Sequence, residues 1–146
     1  MKKVFLDTNI LLDYGQQRDR HEEAETIFCL GDMGEIELFA SYLSYANMGY
    51  ILRDMEREAK YALISSTREG ITVLPCDDTQ LDAALNHHVK DYEDMLQYQC
   101  ALAAGCDVIV TNNKKDFYEF CQLPFLTSEE FLLQFDFSEA PSSTGE

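Results

Sequence analysis

Short apolar runs alternate with longer amphipathic segments along most of the chain. Each run is bounded by polar or turn-forming residues, which predicts buried strands at residues 4–6, 36–40, 71–74, 108–110 and 125–126. Apolar residues at helical spacing predict helices at residues 21–33, 41–55, 57–69, 92–104 and around 81–85, with short helices after the first strand and after Thr127 or Ser128. This alternation predicts an α/β fold with a mainly parallel sheet of four or five strands.

Length and composition indicate one globular domain. The chain has 146 residues, of which 46% are apolar and 12% aromatic, and this is enough for a core. We expect residues 1–135 to form the domain and residues 136–146 to form a flexible, acidic tail. No apolar run reaches the roughly 18 residues of a membrane span. Five scattered cysteines without a C-x-x-C pair favour reduced thiols, and hence a cytoplasmic protein.

Three aspartates lie near the ends of the predicted strands. Asp7 ends the first strand, Asp116 lies in the loop after the fourth, and Asp94 lies in the first turn of the helix that leads into the fourth. Ligands of open α/β sheets bind at the carboxyl ends of the strands, so we expect these acids to converge there. Each alone is typical of an ordinary surface or capping acid. Together they predict a site for a hard divalent cation, which suits phosphodiester hydrolysis.

Asn47 lies on the helix predicted at residues 41–55. The apolar stripe of that helix, which we predict to be its buried face, comprises Leu43, Ala46, Asn47, Tyr50 and Ile51. A buried amide must find hydrogen-bond partners or cost about 1–3 kcal/mol. Either Asn47 bonds to a neighbouring backbone group, or the helix turns it toward the acidic cleft.

Three segments resemble PIN-domain nucleases, which include the VapC-type toxins of bacterial toxin–antitoxin pairs. They are residues 4–13 (VFLDTNILLD), 91–97 (DYEDMLQ) and 108–117 (VIVTNNKKDF), and their order and spacing agree with that family. The resemblance implies a Rossmann-like, three-layer α/β sandwich. It also implies a cleft in which Asp7, Asp94 and Asp116 are catalytic and bind Mg²⁺ or Mn²⁺ for RNA cleavage.

The resemblance further implies a supporting set around these acids, namely Thr8, Asn9, Asp91, Thr111 and Asn113. The two residues after Asp7 would orient its carboxylate, and the threonine would support the loop that carries Asp116. Asp91 lies three residues before Asp94, so it shares the same helix face. One position departs from the family, because Asn47 stands where glutamate is usual. An amide supplies no charge, which favours a single cation, a second cation recruited only with substrate phosphate, or weak catalysis.

Three functional hypotheses follow. The leading one is a metal-dependent endoribonuclease, the toxin of a toxin–antitoxin pair, whose products by resemblance carry a 5′-phosphate and a 3′-hydroxyl. The second is a catalytically weakened or inactive PIN module with a binding or regulatory role. The third is a phosphoacceptor or phosphatase that uses Asp7, although a haloacid-type phosphatase would carry an acid where this chain has Asn9. The resemblance implies an RNA substrate, a homodimer and an antitoxin whose basic segment enters the cleft.

The charge of the chain limits how RNA would be bound. There are 11 Lys and Arg against 27 Asp and Glu, a formal net charge of −16. Non-specific binding depends on cations that neutralise phosphates, so this balance excludes nucleic acid held by charge alone. The metal ions and a few side chains would have to bind it. The candidate side chains are Lys90, Lys114, Lys115, Arg18 and Arg20.

Overall fold

Five parallel strands form one sheet in the computed structural model, which describes residues 1–135. The strands are β1 (Lys2–Leu6), β2 (Ile36–Ser41), β3 (Ile71–Leu74), β4 (Val108–Val110) and β5 (Phe125–Leu126). Their order across the sheet is β3-β2-β1-β4-β5, and each neighbouring pair is parallel. All five predicted strands are therefore confirmed. The expected acidic tail at residues 136–146 lies outside the described residues.

Helices connect the strands. Those of the described residues are α1 (Thr8–Gln16), α2 (His21–Asp32), α3 (Tyr42–Ile51), α4 (Arg57–Arg68), α5 (Asp78–His87), α6 (Tyr92–Ala103) and α7 (Ser128–Gln134). A capping box begins α7, since Thr127 Oγ1 accepts from the Glu130 N–H at 3.0 Å and Glu130 Oε1 accepts from the Thr127 N–H at 3.0 Å. Within residues 1–135, no helix is long and apolar enough to cross a membrane.

Apolar side chains pack on both faces of the sheet. Along β1, Val4 and Leu6 belong to one buried cluster, and Phe5, which is fully buried, belongs to the other. This alternation follows from the two-residue repeat of a strand. The first cluster includes side chains of α1, α2 and α7, and the second includes side chains of α5 and α6. The result is the three-layer α/β sandwich that the sequence predicted.

The buried face predicted for α3 is wrong. Tyr50 is 67% exposed and Ile51 is 48% exposed, whereas Ser44 and Met48 are buried. Ser44 is polar, so the apolar pattern did not mark it as buried. Its hydroxyl is hydrogen-bonded to Gln97 inside the protein, and burying this side chain therefore costs little free energy. Of the predicted stripe, Leu43 does pack against the core, whereas Asn47, Tyr50 and Ile51 line the cleft described below. The helix also ends at Ile51 rather than near residue 55.

Candidate metal centre

The carboxyl ends of β1 and β4 meet at the centre of the sheet. The chain runs from β1 outward to β2 and β3 and then returns to β4, so the strand order reverses between β1 and β4. Ligands of open α/β sheets bind at such a reversal. A cleft of about 700 Å³ lies there, and Asp7, Asp94 and Asp116 all line it. Asp7 is fixed to the neighbouring strand because its N–H donates to the Val110 carbonyl at 3.0 Å.

Asp7 is held by three donors and is only 6% exposed. Its Oδ1 accepts from the Thr8 N–H at 2.8 Å, and its Oδ2 accepts from Thr111 Oγ1 at 2.9 Å and from Asn9 Nδ2 at 3.1 Å. The donors fix the position of the carboxylate, but burial still raises the pKa of Asp7 above its ordinary value. A buried carboxylate that faces other acids is stabilised by a cation.

Asp91, Asp94 and Asp116 are the acids that converge most tightly. One carboxylate oxygen from each lies within 4.8 Å of the others. Asp91 precedes α6, Asp94 lies in its first turn, and Asp116 ends the short 3₁₀ turn Lys114–Asp116 after β4. Burial, followed by the charges of Asp7 and Asp116, raises the pKa of Asp94 from 3.8 to about 8. Asp91 is thus part of the carboxylate cluster itself, whereas the sequence suggested only a supporting position beside it.

Asn47 faces this cleft rather than a neighbouring backbone group. Its side chain lines the cleft, and its Nδ2 donates to a carboxylate oxygen of Glu93. Of the two alternatives left open by the sequence, this geometry corresponds to the second. Glu93 also lines the cleft, and sequence reasoning missed it. Its position next to Asp94 in the first turn of α6 was the available signal.

A buried polar network ties together the helices that carry these residues. Gln97 of α6 is 1% exposed, and its Nε2 donates to Ser44 Oγ of α3 at 2.9 Å. Ser44 Oγ is hydrogen-bonded in turn to Thr8 Oγ1 of α1 at 2.8 Å, and Ser41 Oγ donates to Gln97 Oε1. The network fixes α6 and its acids relative to α1 and α3. Sequence reasoning missed Gln97, since it reads as one polar residue of an amphipathic helix.

A second network holds the loop after β4. The Asn112 side chain donates to Asp13 Oδ2 at 2.9 Å, and its backbone N–H donates to Asn9 Oδ1 at 3.1 Å. The backbone N–H of Asn113 donates to Thr111 Oγ1 at 3.1 Å, and its side chain lines the cleft. Asp13 and Asn9 therefore support the loop of Asp116 through Asn112, although the sequence did not single out Asp13 or Asn112.

Two of the candidate cations line the cleft. They are Lys90 and Arg18, and the Nε of Arg18 also lies 3.4 Å from Asp13 Oδ1. Arg20 lies in an adjoining pocket of about 490 Å³. There Arg20 Nη1 lies 3.8 Å from Glu23 Oε2 and 3.6 Å from Glu129 Oε1, so the charge of Arg20 is partly neutralised.

The other two candidates are placed less favourably. Lys114 Nζ lies 3.0 Å from Glu130 Oε1 and 5.6 Å from the centre of the Phe125 ring, so it points toward α7. The capping box of α7 fixes Glu130 there, which attracts the lysine away from the cleft. Lys115 is exposed and is not among the residues that line the cleft.

The donor set fits a hard divalent cation. The side chains that converge are carboxylates, together with the amide of Asn47, and all their candidate ligand atoms are oxygens. Mg²⁺ and similar ions take oxygen ligands, and mutually repelling acids are stabilised when such an ion lies among them. The cluster therefore has the chemistry of a cation site.

Comparison with known proteins agrees with this arrangement. The PIN domain family model matches residues 3–115, so the chain belongs to the PIN domain family. Ribonuclease VapC1 of Aquifex aeolicus (strain VF5) is 26% identical over 136 residues, which cover 89% of this chain and 93% of that protein. The resemblance expected from the three sequence segments is confirmed.

Solved structures show the same fold. DNA-bound VapBC from Salmonella typhimurium matches with a TM-score of 0.67 at 22% identity, covering 88% of this chain and 99% of that one. Mycobacterium tuberculosis VapC20, described as a sarcin–ricin loop cleaving toxin, matches with a TM-score of 0.62 at 15% identity. The match covers 80% of this chain and 95% of that one. The expected PIN-like fold is confirmed.

Proposed function

We propose that this protein is a metal-dependent endoribonuclease and the toxin of a toxin–antitoxin pair. The observation that carries the proposal is the convergence of Asp91, Asp94 and Asp116 beside the buried Asp7 in a chain of the PIN domain family. The names of its relatives support it, since one is named a ribonuclease and another is described as a sarcin–ricin loop cleaving toxin. Family membership leaves no support for the phosphoacceptor alternative.

Mg²⁺ or Mn²⁺ would be held by Asp7, Asp94 and Asp116, with Asp91 beside them. When bound, such an ion supplies an activated water as nucleophile and stabilises negative charge on the leaving oxygen. The protein fixes the acids in advance, because the hydrogen bonds from Thr111 and the backbone hold the Asp7 carboxylate in one orientation. No histidine or lysine is needed as a general base.

The substrate would enter past Lys90 and Arg18, which line the cleft and are placed to contact phosphates. Asn113 lines the same cleft and offers its amide to the substrate. Lys114 has no part in this role because it pairs with Glu130. With so few cations, RNA affinity would depend on the divalent ions as well as on these side chains.

Protein partners form a further part of the proposal. The net charge of −16 and an acid-lined cleft suit the basic segment of an antitoxin. One structural relative, from Klebsiella pneumoniae, is described as a toxin–antitoxin complex, and others are VapBC structures. The exposed aromatic face of α3, which includes Tyr42 and Tyr50, suits a homodimer interface. All five cysteines are free thiols, which suits a cytoplasmic protein.

A second candidate function is a binding module without catalysis. The observation that favours it is Asn47, which occupies the place of a usual glutamate and supplies no charge. Such a module would bind RNA or a protein partner and leave RNA intact.

Incubation of the purified protein with structured and unstructured RNA tests both candidates. Cleavage in Mn²⁺ that EDTA abolishes, with a 5′-phosphate on the products, is expected of the nuclease. Asp7→Asn and Asp94→Asn should lose the activity, and Asp82→Asn on the exposed side of α5 is the control. Cleavage that survives EDTA or Asp7→Asn would refute the nuclease assignment, whereas intact RNA under every condition would favour the binding module.

A further inference from the structure

Asn47 and Glu93 form a contact that bears on the missing glutamate. Asn47 lies on α3 and Glu93 lies on α6, 46 residues later, and the amide of the first donates to the carboxylate of the second. Both side chains line the cleft. A carboxylate therefore lies directly beside Asn47, the position at which the resemblance to PIN-domain nucleases implies a glutamate.

The charge of Glu93 reaches the acids of the site. Burial is the main reason why the pKa values of Asp7 and Asp94 are raised, and the negative charge of Glu93 raises both further. Those two acids approach the site from β1 and α6. Glu93 is consequently part of the same electrostatic cluster, although it contacts α3.

The identities of the two residues are complementary. An asparagine amide donates to a carboxylate, whereas a glutamate at position 47 would place two like charges in contact. Asn47 thus fixes an otherwise exposed and flexible glutamate against α3. Fixing a side chain in this way reduces the conformational entropy that a cation would have to remove on binding.

We propose that Glu93 takes over the part of the missing glutamate and supplies the carboxylate on the α3 side of the cation site, with Asn47 as its positioning residue. This inference rests on the proposed function, because it concerns the same cation site. It gives a reason why the substitution at position 47 leaves the site without a deficit of charge.

Mn²⁺ binding measured by calorimetry tests the role of Glu93 independently of RNA cleavage. Glu93→Gln should weaken binding about tenfold to a hundredfold, the range for loss of a group that tunes a metal site. Glu22→Gln is a matched control, since Glu22 is also the exposed second residue of a 12-residue helix but lies on α2. It removes the same charge and should leave Mn²⁺ affinity within about twofold of wild type.

A carboxylate swap tests whether the two positions are equivalent. The double variant Asn47→Glu with Glu93→Gln keeps the charge and exchanges the amide and carboxylate, so it should recover most of the lost affinity. Asn47→Glu alone should give no gain in affinity or cleavage, because it adds a like charge beside Glu93. A double variant as weak as Glu93→Gln would contradict the proposal.

Failure of this inference can be distinguished from failure of the proposed function. If Asp94→Asn loses Mn²⁺ binding while Glu93→Gln binds as tightly as Glu22→Gln, the role of Glu93 is refuted and the nuclease proposal stands. If the wild-type protein binds no Mn²⁺, both are refuted.

Discussion

In the proposed cation site, protons and divalent cations would compete for the acids of the cleft, and Asp94 would be central to this competition. Its pKa is raised from 3.8 to about 8, first by burial and then by the charges of Asp7 and Asp116. A cation that binds this carboxylate must displace its proton. We therefore predict that Mn²⁺ affinity rises with pH between about pH 6 and pH 8.

The size of the effect follows from the pKa. With a value of about 8, roughly one Asp94 carboxyl in a hundred is ionised near pH 6 and about half near pH 8. The apparent association constant should therefore rise about 50-fold, or about 2.3 kcal/mol of binding free energy. Near pH 7, about 0.9 proton should be released for each cation bound.

The stability of the metal-free protein should change with pH in the opposite sense. Because the pKa of Asp94 is raised in the folded state, its protonated form stabilises the fold at low pH, and this contribution is lost as the pH rises from about 4 to about 8. The metal-free protein should therefore melt at a lower temperature near pH 8 than near pH 5. Mn²⁺ should restore the melting temperature most strongly near pH 8.

Calorimetry in two buffers of different ionisation enthalpy measures both the affinity and the protons released. Asp82→Asn is the control, because it removes an exposed carboxylate outside the cleft and should keep the same pH dependence. An affinity that is flat between about pH 6 and pH 8, with no proton released, would refute the reasoning. It would mean that Asp94 is already ionised in the metal-free cleft.

Three further predictions concern stability and RNA binding. Asp7→Asn should abolish the Mn²⁺-induced rise in melting temperature. It should also stabilise the metal-free protein, because the wild-type carboxylate is 6% exposed and burial raises its pKa. A metal-free variant that is less stable than wild type in scanning calorimetry would contradict this prediction. Gln97→Leu should lower the free energy of unfolding in urea by about 1–3 kcal/mol, since it leaves the buried hydroxyls of Ser41 and Ser44 without their partner. Gln99→Leu on the same helix is the control and should lower the free energy of unfolding by less. Lys90 and Arg18 line the cleft. The logarithm of the association constant for single-stranded RNA should therefore fall against the logarithm of salt concentration with a slope of about −1.4, and with about half that slope in Arg18→Ala. A slope steeper than about −4 would implicate other cations.

The fold could be predicted because its signals are local. Each strand is a short apolar run, and turn-forming residues such as Gly70 and Gly105 separate helices from strands. Both glycines have positive φ, at 78° and 72°, where other residues are strained. The sequence also indicated the edge of the sheet where Asp7 and Asp116 lie, since the carboxyl ends of parallel strands share one edge.

The parts of the site that escaped prediction depend on contacts between distant segments. Gln97 is buried because Ser41 at the end of β2 and Ser44 on α3 satisfy its amide, and no periodicity within α6 contains that information. Ser44 also explains why the buried face of α3 was wrong, since a hydrogen-bonded serine packs inside as readily as an apolar residue. Glu93 was missed for a related reason, because its position next to Asp94 is also that of an ordinary helix-terminal acid, and its contact with Asn47 joins two distant helices.

The acidity of the chain takes on a different meaning once its cations are located. Arg18 lies near Asp13, Arg20 lies between two glutamates, and Lys114 pairs with Glu130, so three of the five candidate cations already have acidic partners within the protein. The cleft itself collects five carboxylates, an arrangement that repels RNA until cations enter it. In the proposed nuclease, metal binding and RNA binding would therefore be coupled, because each cation that stabilises the acids would also remove the charge that excludes the substrate. A basic antitoxin segment would compete for the same negative field, and so the property that weakens non-specific RNA binding favours the inhibitor.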